Sequence, residues 1–365
     1  MGFRCGIIGL PNVGKSTIFN ALTAAGAEVA NYPFCTIDPN MGILPVPDER
    51  LETIARMIAP PKVTPTTMQF VDIAGLVKGA SKGEGLGNKF LGNIRDVDAV
   101  VHIVRCFDDP NISHVHGAID PRSDIDIINT ELILADLDTV EKRIAKIERL
   151  AKVGDKSVRD ELDVCRVIQD GLGRGIPARR TVFDPGDKTR IADELHLLTS
   201  KRVLYVANVS EALLREGGAY IDEVATIADG EGSESIVICG DIEAEITALP
   251  EEERKEFLED LGLEESGLQK LIRAGYAMLD LITFYTTAGT ELRAWTIKTG
   301  TKASEASGKI HSDMERGFIK AEVINYSQFT KLKNIAEARE KGLTQIEGRD
   351  YEVKDGDIIY YRFKV

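Results

Sequence analysis

The chain has 365 residues, of which 43% are hydrophobic and 28% charged, as is typical of soluble globular proteins. Its net charge is −14, which argues against a broad nucleic-acid-binding surface, because such surfaces are usually basic, although it leaves room for a local basic face. Five dispersed cysteines without metal-ligand spacing indicate reduced thiols in a cytosolic protein. No signal-peptide region precedes the first strand, and no apolar run approaches the roughly 20 residues of a membrane span, so we expect a cytoplasmic location.

Apolar strands alternate with helical stretches through much of the chain. Residues 3–9 predict a short buried strand, and residues 17–25 predict the helix that follows it. Further strands rich in Val and Ile are predicted at 68–73, 99–106, 203–209 and 236–239. Continuous apolar strands separated by helices indicate a parallel sheet covered on both faces. The sequence therefore predicts a doubly wound α/β domain.

The segment from about 130 to 200 has a different pattern. Its apolar residues follow the spacing of a helical seam, at Ile133, Leu137, Val140, Ile144 and Ile147. A break near Gly154 is followed by a second helical stretch that ends at Gly173. The simplest interpretation is a helical hairpin inserted between two strands of the sheet. It is either a structural arm or a protruding partner-binding element, since a helix of about 20 residues extends about 30 Å.

The pattern changes again after the helix predicted at 267–280. Strands at 282–287 and 292–297 flank a turn and predict a β-hairpin. A helix at 303–314 and strands at 318–324 and 357–363 complete a small α+β module. We therefore predict three parts, which are a discontinuous α/β domain at 1–129 and 201–281, an inserted helical arm at 130–200 and a C-terminal module at 282–365.

Gly9, Gly14, Lys15 and Ser16 form the pattern Gly-x4-Gly-Lys-Ser between the first strand and the first helix. In this context glycine lets the backbone wrap around phosphate, and successive N–H groups form an anion nest at the helix N-terminus. The lysine adds a cation for the β- and γ-phosphates, and the serine hydroxyl is a ligand for Mg²⁺. The pattern predicts a P-loop that binds a nucleoside triphosphate with Mg²⁺, in a protein that hydrolyses it.

Further features of a nucleotide site follow the P-loop along the chain. Asp72 ends a predicted strand, where an acid can hold a Mg²⁺-bound water, and Gly75 can donate its N–H to the γ-phosphate. Thr36 lies in a loop-like stretch and can complete the Mg²⁺ shell. The glycine-rich segment from Gly75 to Gly87 is typical of a switch that becomes ordered by the γ-phosphate.

The predicted strand at 203–209 leads into Asn208, Val209, Ser210 and Glu211. Guanine sites of this class usually carry Asn-Lys-x-Asp here, and the aspartate accepts hydrogen bonds from guanine N1–H and N2–H₂. In this chain valine replaces the lysine, and the longer glutamate replaces the aspartate. Adenine lacks the 2-amino group, so an aspartate that accepts two hydrogen bonds from the base is not needed to bind it. We therefore predict that ATP is preferred over GTP.

Leu76 follows Gly75 at the position where many relatives of this fold place a water-orienting glutamine. Leucine cannot orient water, so hydrolysis is either very slow or assisted by another group. His114 and His116 follow the strand at 99–106, on the ligand-binding edge of the sheet. Either histidine can turn toward the γ-phosphate, and either can equally be a solvated loop side chain. His114 is the candidate catalytic residue.

These motifs resemble those of the YchF family, the Obg-like ATPases, in the P-loop, in Asp72-Ile-Ala-Gly-Leu76 and in Asn208-Val-Ser-Glu211. The order of the parts is also similar, with a GTPase-like domain, an inserted helical hairpin and a C-terminal TGS domain. The resemblance covers essentially the whole chain. The departure of Asn-x-x-Glu from the usual guanine motif is its most specific mark.

The resemblance implies a domain of the OBG-type, translation-factor-related P-loop GTPase class and a β-grasp TGS domain. It also implies a protein that prefers ATP, needs Mg²⁺ and associates with ribosomes. The phosphate contacts it implies are Asn12, Val13, Gly14, Lys15, Ser16 and Thr17. The Mg²⁺ ligands it implies are Ser16 and Thr36, and the implied base contacts are Asn208, Val209 and Glu211.

Basic residues give this partner partial physical support, because a local basic face attracts ribosomal RNA. On the arm they are Lys142, Arg143, Lys146, Arg149, Lys152, Arg179 and Arg180. On the C-terminal module they are Arg293, Lys298, Lys302, Lys309, Lys331 and Lys333. Interleaved acids such as Glu141 and Glu148 favour equally a solvated charged helix.

The leading hypothesis is a slow, Mg²⁺-dependent ATPase that binds ribosomes and changes conformation with its γ-phosphate. A nucleotide-sensing, ribosome-binding module with incidental hydrolysis is the alternative that Leu76 leaves open. A GTPase is the third hypothesis, and Glu211 argues against it.

Overall fold

The structure is a computed structural model that describes residues 3–26, 40–73, 86–114, 117–151, 156–183, 186–288, 290–332 and 335–364. Its strands are β1 (Arg4–Ile8), β2 (Met41–Pro45), β3 (Lys62–Thr64), β4 (Thr67–Asp72), β5 (Ala99–Arg105), β6 (Arg202–Asn208), β7 (Glu234–Ile238), β8 (Leu281–Ala288), β9 (Glu291–Lys298), β10 (Phe318–Asn325), β11 (Gln345–Glu347) and β12 (Asp357–Phe363). Its helices are α1 (Lys15–Gly26), α2 (Glu49–Ile58), α3 (Leu86–Arg95), α4 (Pro121–Ala151), α5 (Lys156–Gly173), α6 (Asp187–Glu194), α7 (Glu211–Glu216), α8 (Ala219–Glu231), α9 (Gly240–Ala248), α10 (Glu251–Asp260), α11 (Gly267–Met278), α12 (Ala303–Ile310), α13 (Ser312–Arg316), α14 (Tyr326–Phe329) and α15 (Ile335–Glu340).

The first sheet has the strand order β2-β4-β1-β5-β6-β7 within the described part of the chain. Strand β1 pairs in parallel with β4 and β5, and β6 pairs in parallel with β5 and β7. Every residue of β5 is buried, as expected of a central strand in a doubly wound sheet. The predicted α/β fold is confirmed. Loops at the carboxyl ends of such strands meet at one edge, where ligands bind.

The helical arm consists of α4 and α5, which pack against each other. Its core includes the predicted seam residues and their α5 partners, namely Ile133, Leu137, Val140, Ile144, Ile147, Leu162, Cys165, Ile168 and Leu172. Helix α4 begins at Pro121, before residue 130, where the sequence pattern placed the start of the arm. Asp120 explains the earlier start, because its carboxylate accepts a hydrogen bond from the N–H of Ser123 at 3.0 Å.

The second sheet has the strand order β11-β10-β12-β8-β9-β3 within the described residues. Strands β8 and β9 form the predicted antiparallel hairpin, whereas β12 pairs in parallel with β8 and antiparallel with β10. One face of this sheet packs on α12 through Ala303 and Ala306. The other face packs on α2 through Leu51 and Ile54. The result is a mixed α+β unit, and its identification as a β-grasp TGS domain stays a prediction.

The single helix predicted at 303–314 is two helices, α12 and α13, which meet at His311. His311 has extended backbone angles, and its Nδ1 accepts a hydrogen bond from the N–H of Asp313 at 3.1 Å. The histidine therefore caps the second helix and separates it from the first.

The chain divides into two compact units at positions that differ from the sequence-based boundaries. The α/β unit contains Phe3–Ile43 and Gln69–Gly275, including the arm. The C-terminal unit contains Tyr276–Val365 together with Leu44–Met68, a segment that the sequence analysis placed in the first domain. The reason is that β3 pairs with β9 and that α2 is part of the core of the second sheet. No helix among the described residues is long and apolar enough to span a membrane.

Candidate nucleotide-binding site

The loop between β1 and α1 has the backbone geometry of an anion-binding turn. Asn12 has a φ of 63° and Gly14 a φ of 92°, both in the left-handed region. Alternation between left-handed and ordinary backbone angles directs successive N–H groups toward one concave side. A Cβ added at Gly14 would lie 2.0 Å from Nδ2 of Asn208, so only glycine fits here.

A cavity of about 590 Å³ lies over this loop. Its walls come from residues that follow β1, β5, β6 and β7, which is the edge at which doubly wound sheets bind ligands. Seven predicted site residues line it, namely Asn12, Gly14, Lys15, Ser16, Thr17, Asn208 and Val209. Val13 is buried within the loop. The structure therefore brings the two ends of the predicted site, the phosphate loop and the base motif, to one cavity.

Lys15 lies in the wall of this cavity. Its ammonium donates to the carbonyl of Gly9 at 2.9 Å and to that of Leu10 at 3.4 Å, so it folds back on the P-loop. Burial lowers the pKa of this ammonium, and the negative charge of Asp72 opposes that change. Burial likewise raises the pKa of the Asp72 carboxyl group, and Lys15 opposes it. The two groups therefore form an electrostatically coupled pair in a partly desolvated place.

Asp72 ends β4 and has one carboxylate oxygen, Oδ1, that is buried and without a hydrogen-bond partner among the described residues. A buried carboxylate oxygen of this kind fits the chemistry of a water bound to Mg²⁺, and the Ser16 hydroxyl in the cavity wall fits that of a Mg²⁺ ligand. No group of three or more His, Cys, Asp or Glu side chains in the described ranges could hold a metal ion. A P-loop Mg²⁺ site relies instead on hydroxyls and phosphate oxygens, and the assignment of Ser16 to Mg²⁺ stays a prediction.

Asn208 ends β6 and is 4% exposed. Its Nδ2 donates to the carbonyl of Val13 at 2.9 Å, and its Oδ1 accepts from the N–H of Gly240 at 3.0 Å. The side chain thus connects the P-loop to the start of α9. Both ends of the amide are engaged with protein, and contact with a base stays a prediction for this residue.

Val209 and Glu211 differ in their relation to the cavity. Val209 is buried, lines the cavity and donates its N–H to the carbonyl of Ile238 at 2.9 Å. Glu211 opens α7, and its side chain is 59% exposed and lies 3.7 Å from Arg215. Glu211 is therefore close in sequence to the cavity wall but is not one of the residues that line it.

Arg105 is a buried residue of this site that the sequence analysis did not single out. It ends β5 and is 1% exposed. Its guanidinium donates to the carbonyls of Phe107, Asn12 and Ile112 at 3.1, 3.4 and 2.9 Å. It also lies 4.6 Å from the centre of the Phe107 ring. The signal in the sequence is an arginine at the end of an otherwise apolar strand, directly before a loop.

His114 is not a solvated loop side chain, so that interpretation is wrong for this residue. Its side chain is 5% exposed, and its Nε2 lies 3.0 Å from Oδ2 of Asp124, at the start of α4. It does not line the cavity, although Ile112 does. The loop that carries it is fixed to the P-loop, since Nδ2 of Asn12 donates to the carbonyl of Ser113 at 3.1 Å.

Several predicted residues lie outside the described residues. They are Thr36, Gly75, Leu76 and His116. Most of the glycine-rich segment from Gly75 to Gly87 is also outside them. The assignments of Thr36 to Mg²⁺ and of Gly75 to the γ-phosphate stay predictions.

Three of the seven basic residues predicted on the arm form ion pairs within the described part of the chain. Lys142 pairs with Asp138 at 2.6 Å, and Arg143 pairs with Glu161 across the two helices. The side chain of Arg179 is 9% exposed and binds Glu231. Arg179 is therefore a buried anchor and does not contribute to a basic surface. The pairs of Lys142 and Arg143 favour the solvated charged helix at these two positions.

Comparison with known proteins agrees with this geometry. Residues 4–156 match the MMR_HSR1 family, described as "50S ribosome-binding GTPase". Residues 281–364 match the YchF-GTPase_C family, described as "Protein of unknown function (DUF933)". The C-terminal match thus covers most of the second sheet.

Similarity also extends over the full length of individual proteins. The ribosome-binding ATPase YchF of Bacillus subtilis (strain 168) is 52% identical, and that of Escherichia coli O157:H7 is 51% identical, each over 100% of both chains. The solved structure of the Schizosaccharomyces pombe YchF GTPase has a TM-score of 0.89 and 36% identity, covering 99% of this chain and 98% of that one. The chain therefore belongs to the YchF family.

Proposed function

We propose that this chain is a Mg²⁺-dependent ATPase that binds ribosomes and acts as a slow nucleotide-dependent switch in the cytoplasm. The observation that carries this proposal is the coupling of Lys15 with Asp72 beside a P-loop cavity of about 590 Å³. A partly buried cation and a buried carboxylate oxygen that has no hydrogen-bond partner among the described residues are the groups that triphosphate and hydrated Mg²⁺ require.

In this proposal the phosphates lie on the N–H groups from Asn12 to Thr17. The ammonium of Lys15 exchanges the carbonyls of Gly9 and Leu10 for phosphate oxygens, which also restores an anion to a desolvated cation. Ser16 and Thr36 would hold Mg²⁺, and the Asp72 carboxylate would accept hydrogen bonds from water bound to it. When bound, Mg²⁺ neutralises charge on the β- and γ-phosphates.

ATP preference rests on the base motif. Asn208 is held at the cavity wall by Val13 and Gly240, so its position is fixed before nucleotide binds. Val209 and Glu211 stand where guanine sites usually carry lysine and aspartate. Without that aspartate the site lacks the acceptor that distinguishes guanine by its N1–H and N2–H₂.

Slow hydrolysis rests on Leu76, which cannot orient water as a glutamine does. His114 is the candidate group that assists the reaction. Because its ring is bound to Asp124 and does not line the cavity, this role requires the ring to turn away from Asp124. A change of conformation on ribosome binding is one way to supply that movement.

Ribosome binding is supported by the names of the full-length relatives. On this chain, the exposed cations of the C-terminal unit supply a suitable charge, namely Arg293, Lys298, Lys309 and Lys331. The ion-paired residues of the arm contribute less, since their charge is already compensated.

The test is ATP turnover by the full chain with and without purified ribosomes, with Lys15→Ala as the inactive control. Marked acceleration by ribosomes supports the switch. A low rate that ribosomes leave unchanged supports the nucleotide-sensing module instead. A GTPase is the third candidate, and it is supported because the Schizosaccharomyces pombe relative is called a GTPase and the MMR_HSR1 family is described as one. Parallel GTP assays decide between the two nucleotides.

A further inference from the structure

Arg105 and Asn208 are directly opposite each other in the parallel pairing of β5 with β6. Each is the last residue of its strand, and each side chain reaches the P-loop. Arg105 donates to the carbonyl of Asn12, and Asn208 donates to the carbonyl of Val13, the next residue. Two neighbouring strands therefore hold two consecutive carbonyls of the phosphate loop.

Holding these carbonyls also sets the direction of the N–H groups. In a planar trans peptide the C=O and the N–H of the same unit point in opposite directions. When the carbonyl of Asn12 is bound to Arg105, the N–H of Val13 is directed away from Arg105. The carbonyl of Val13 fixes the N–H of Gly14 in the same way. These N–H groups belong to the nest that binds phosphate.

The guanidinium of Arg105 also holds the segment 107–114, here called the β5 loop. Two of its three hydrogen bonds go to that loop, at the carbonyls of Phe107 and Ile112. The third goes to Asn12, whose own side chain donates to Ser113 in the β5 loop. One buried cation therefore joins the P-loop to the loop that ends at His114.

General stability does not explain this arrangement. Within the described residues, Arg105 makes its hydrogen bonds to backbone carbonyls and none to a carboxylate. Burying a cation without a counter-ion is unfavourable, and a neutral side chain of similar volume would fill the same space at lower cost. Among side chains, arginine is suited to this role because its planar guanidinium can donate to three carbonyls in different directions.

We infer that Arg105 is a positioning residue of the nucleotide site, which holds the P-loop and the β5 loop in the conformation that binds phosphate. This inference rests on the proposed nucleotide binding, but it does not require hydrolysis. Arg105 does not line the cavity and acts through Asn12 and the β5 loop. Its loss should therefore affect affinity for ATP and ADP alike.

The experiment compares Arg105→Met and Arg105→Lys with the unaltered full chain. Amide hydrogen exchange in the absence of nucleotide measures how well the P-loop and the β5 loop are held in place. Titration with a fluorescent ATP analogue and a fluorescent ADP analogue measures nucleotide affinity. We expect faster exchange at 107–114 in both variants. The Kd for each nucleotide should rise about tenfold, as expected for loss of hydrogen bonds from a charged group. KM should rise with kcat changed by less than about twofold, since positioning of the nest affects bound substrate and transition state alike.

Arg179→Met is the matched control, because Arg179 is also a nearly buried arginine of the same unit and lies outside the cavity wall. It should lower the melting temperature and leave nucleotide affinity unchanged. Arg105→Lys keeps the positive charge and serves as the test if Arg105→Met does not fold. The inference would be overturned if Arg105→Lys exchanged its amide hydrogens at 107–114 as slowly as the unaltered chain, or bound nucleotide with the same affinity. ATP binding without turnover in the unaltered chain would instead count against the proposed ATPase and leave the role of Arg105 intact.

Discussion

The Nδ2 atom of Asn208 lies 2.0 Å from the position that a Cβ on Gly14 would occupy. The residue at the end of β6 and the glycine of the P-loop therefore share one space, and the same Nδ2 is bonded to Val13. A side chain at position 14 has to displace an amide that is itself held in place. Two motifs separated by almost the whole α/β unit thus depend on each other sterically.

Gly14→Ala tests this dependence. The substitution strains a φ of 92° and pushes Asn208 from the carbonyl of Val13. We expect the free energy of unfolding to fall by about 1–3 kcal/mol, from backbone strain alone, and ATP affinity to be lost. Chemical denaturation and nucleotide titration measure the two effects.

Gly232→Ala is the matched control for that variant. Gly232 also has a left-handed φ, of 66°, but nothing lies within 4 Å of the position of its Cβ. Its substitution should cost about 1 kcal/mol and leave ATP affinity unchanged. If Gly14→Ala and Gly232→Ala lost ATP affinity equally, backbone strain would explain the loss, and the contact of position 14 with Asn208 would not.

The stability of the nucleotide-free protein should depend on pH through Asp72. Burial raises the pKa of this carboxyl group above its ordinary value of 3.8, and Lys15 opposes the shift. The folded protein then binds this proton more tightly than the unfolded chain. The contribution of Asp72 to the free energy of unfolding therefore decreases as the pH rises from 3.8 through the higher folded-state value. Asp72→Asn should remove that decrease.

Urea unfolding of Asp72→Asn and the unaltered chain at a series of pH values measures the effect. The stability of the variant relative to the unaltered chain should increase with pH across that window. Asp126→Asn, at an exposed carboxylate of α4, controls for the loss of one negative charge. A difference in stability between Asp72→Asn and the unaltered chain that stays constant with pH would contradict the prediction.

His114→Ala should lower ATP turnover without weakening nucleotide binding. The ring does not line the cavity, so bound nucleotide loses no contact, whereas a group that assists hydrolysis is removed. The variant should also be less stable by about 1–3 kcal/mol, because the buried carboxylate of Asp124 loses a partner. Single-turnover hydrolysis and equilibrium titration separate the two effects. Unchanged turnover would remove His114 from the mechanism.

Glu211→Asp combined with Val209→Lys should shift the nucleotide preference toward GTP. These changes restore the pattern that guanine sites usually carry after this strand, including the aspartate that accepts from N1–H and N2–H₂. We expect the ratio of GTP to ATP affinity to rise about tenfold or more, the value of one or two hydrogen bonds to a charged group.

Side-by-side titrations with both nucleotides provide the measurement. Glu216→Asp, at the other end of α7, is the control for shortening an exposed glutamate. If GTP already binds the unaltered chain more tightly than ATP, the proposed ATP preference is wrong.

Ribosome binding should weaken steeply with salt concentration. Contacts of lysine and arginine with phosphate release counterions, so the logarithm of the binding constant falls linearly with the logarithm of salt concentration. Co-sedimentation at several salt concentrations measures the slope. Reversing the charge of Lys298 and Lys309 should reduce both the affinity and the slope, whereas reversing the ion-paired Lys142 should change them less. Sedimentation indifferent to salt would contradict the electrostatic account.

Local patterns in the sequence predicted most of the architecture. The seam from Ile133 to Ile147 and the hairpin of β8 and β9 were predicted correctly because helix and strand periodicities depend on neighbouring residues. The earlier start of α4 was also encoded locally, since an aspartate followed by a proline at Asp120 is a helix-start signal. The P-loop residues line the cavity together because their motif is contiguous.

Features that depend on distant parts of the chain were not predicted. Strand β3 has three residues, and its partner β9 lies more than two hundred residues later, so no local pattern connects Lys62 with Glu291. The roles of Arg105 and Asp124 likewise depend on carbonyls and side chains brought near by the fold. Such contacts follow from tertiary structure and have no periodicity of their own.

The placement of Leu44–Met68 in the C-terminal unit has a consequence for synthesis of the chain. Translation delivers α2 and β3 long before β8, β9 and the remaining strands of their sheet exist. Until then Leu51 and Ile54 cannot be buried in the core of the second sheet. The residues from 276 onward therefore cannot complete the C-terminal unit without the earlier segment. A nascent chain stopped at residue 275 contains every residue of the α/β unit, whereas a fragment beginning at residue 276 lacks Leu44–Met68 and is therefore an incomplete C-terminal unit. The two units are therefore interlaced along the sequence, and no single cleavage can separate them intact.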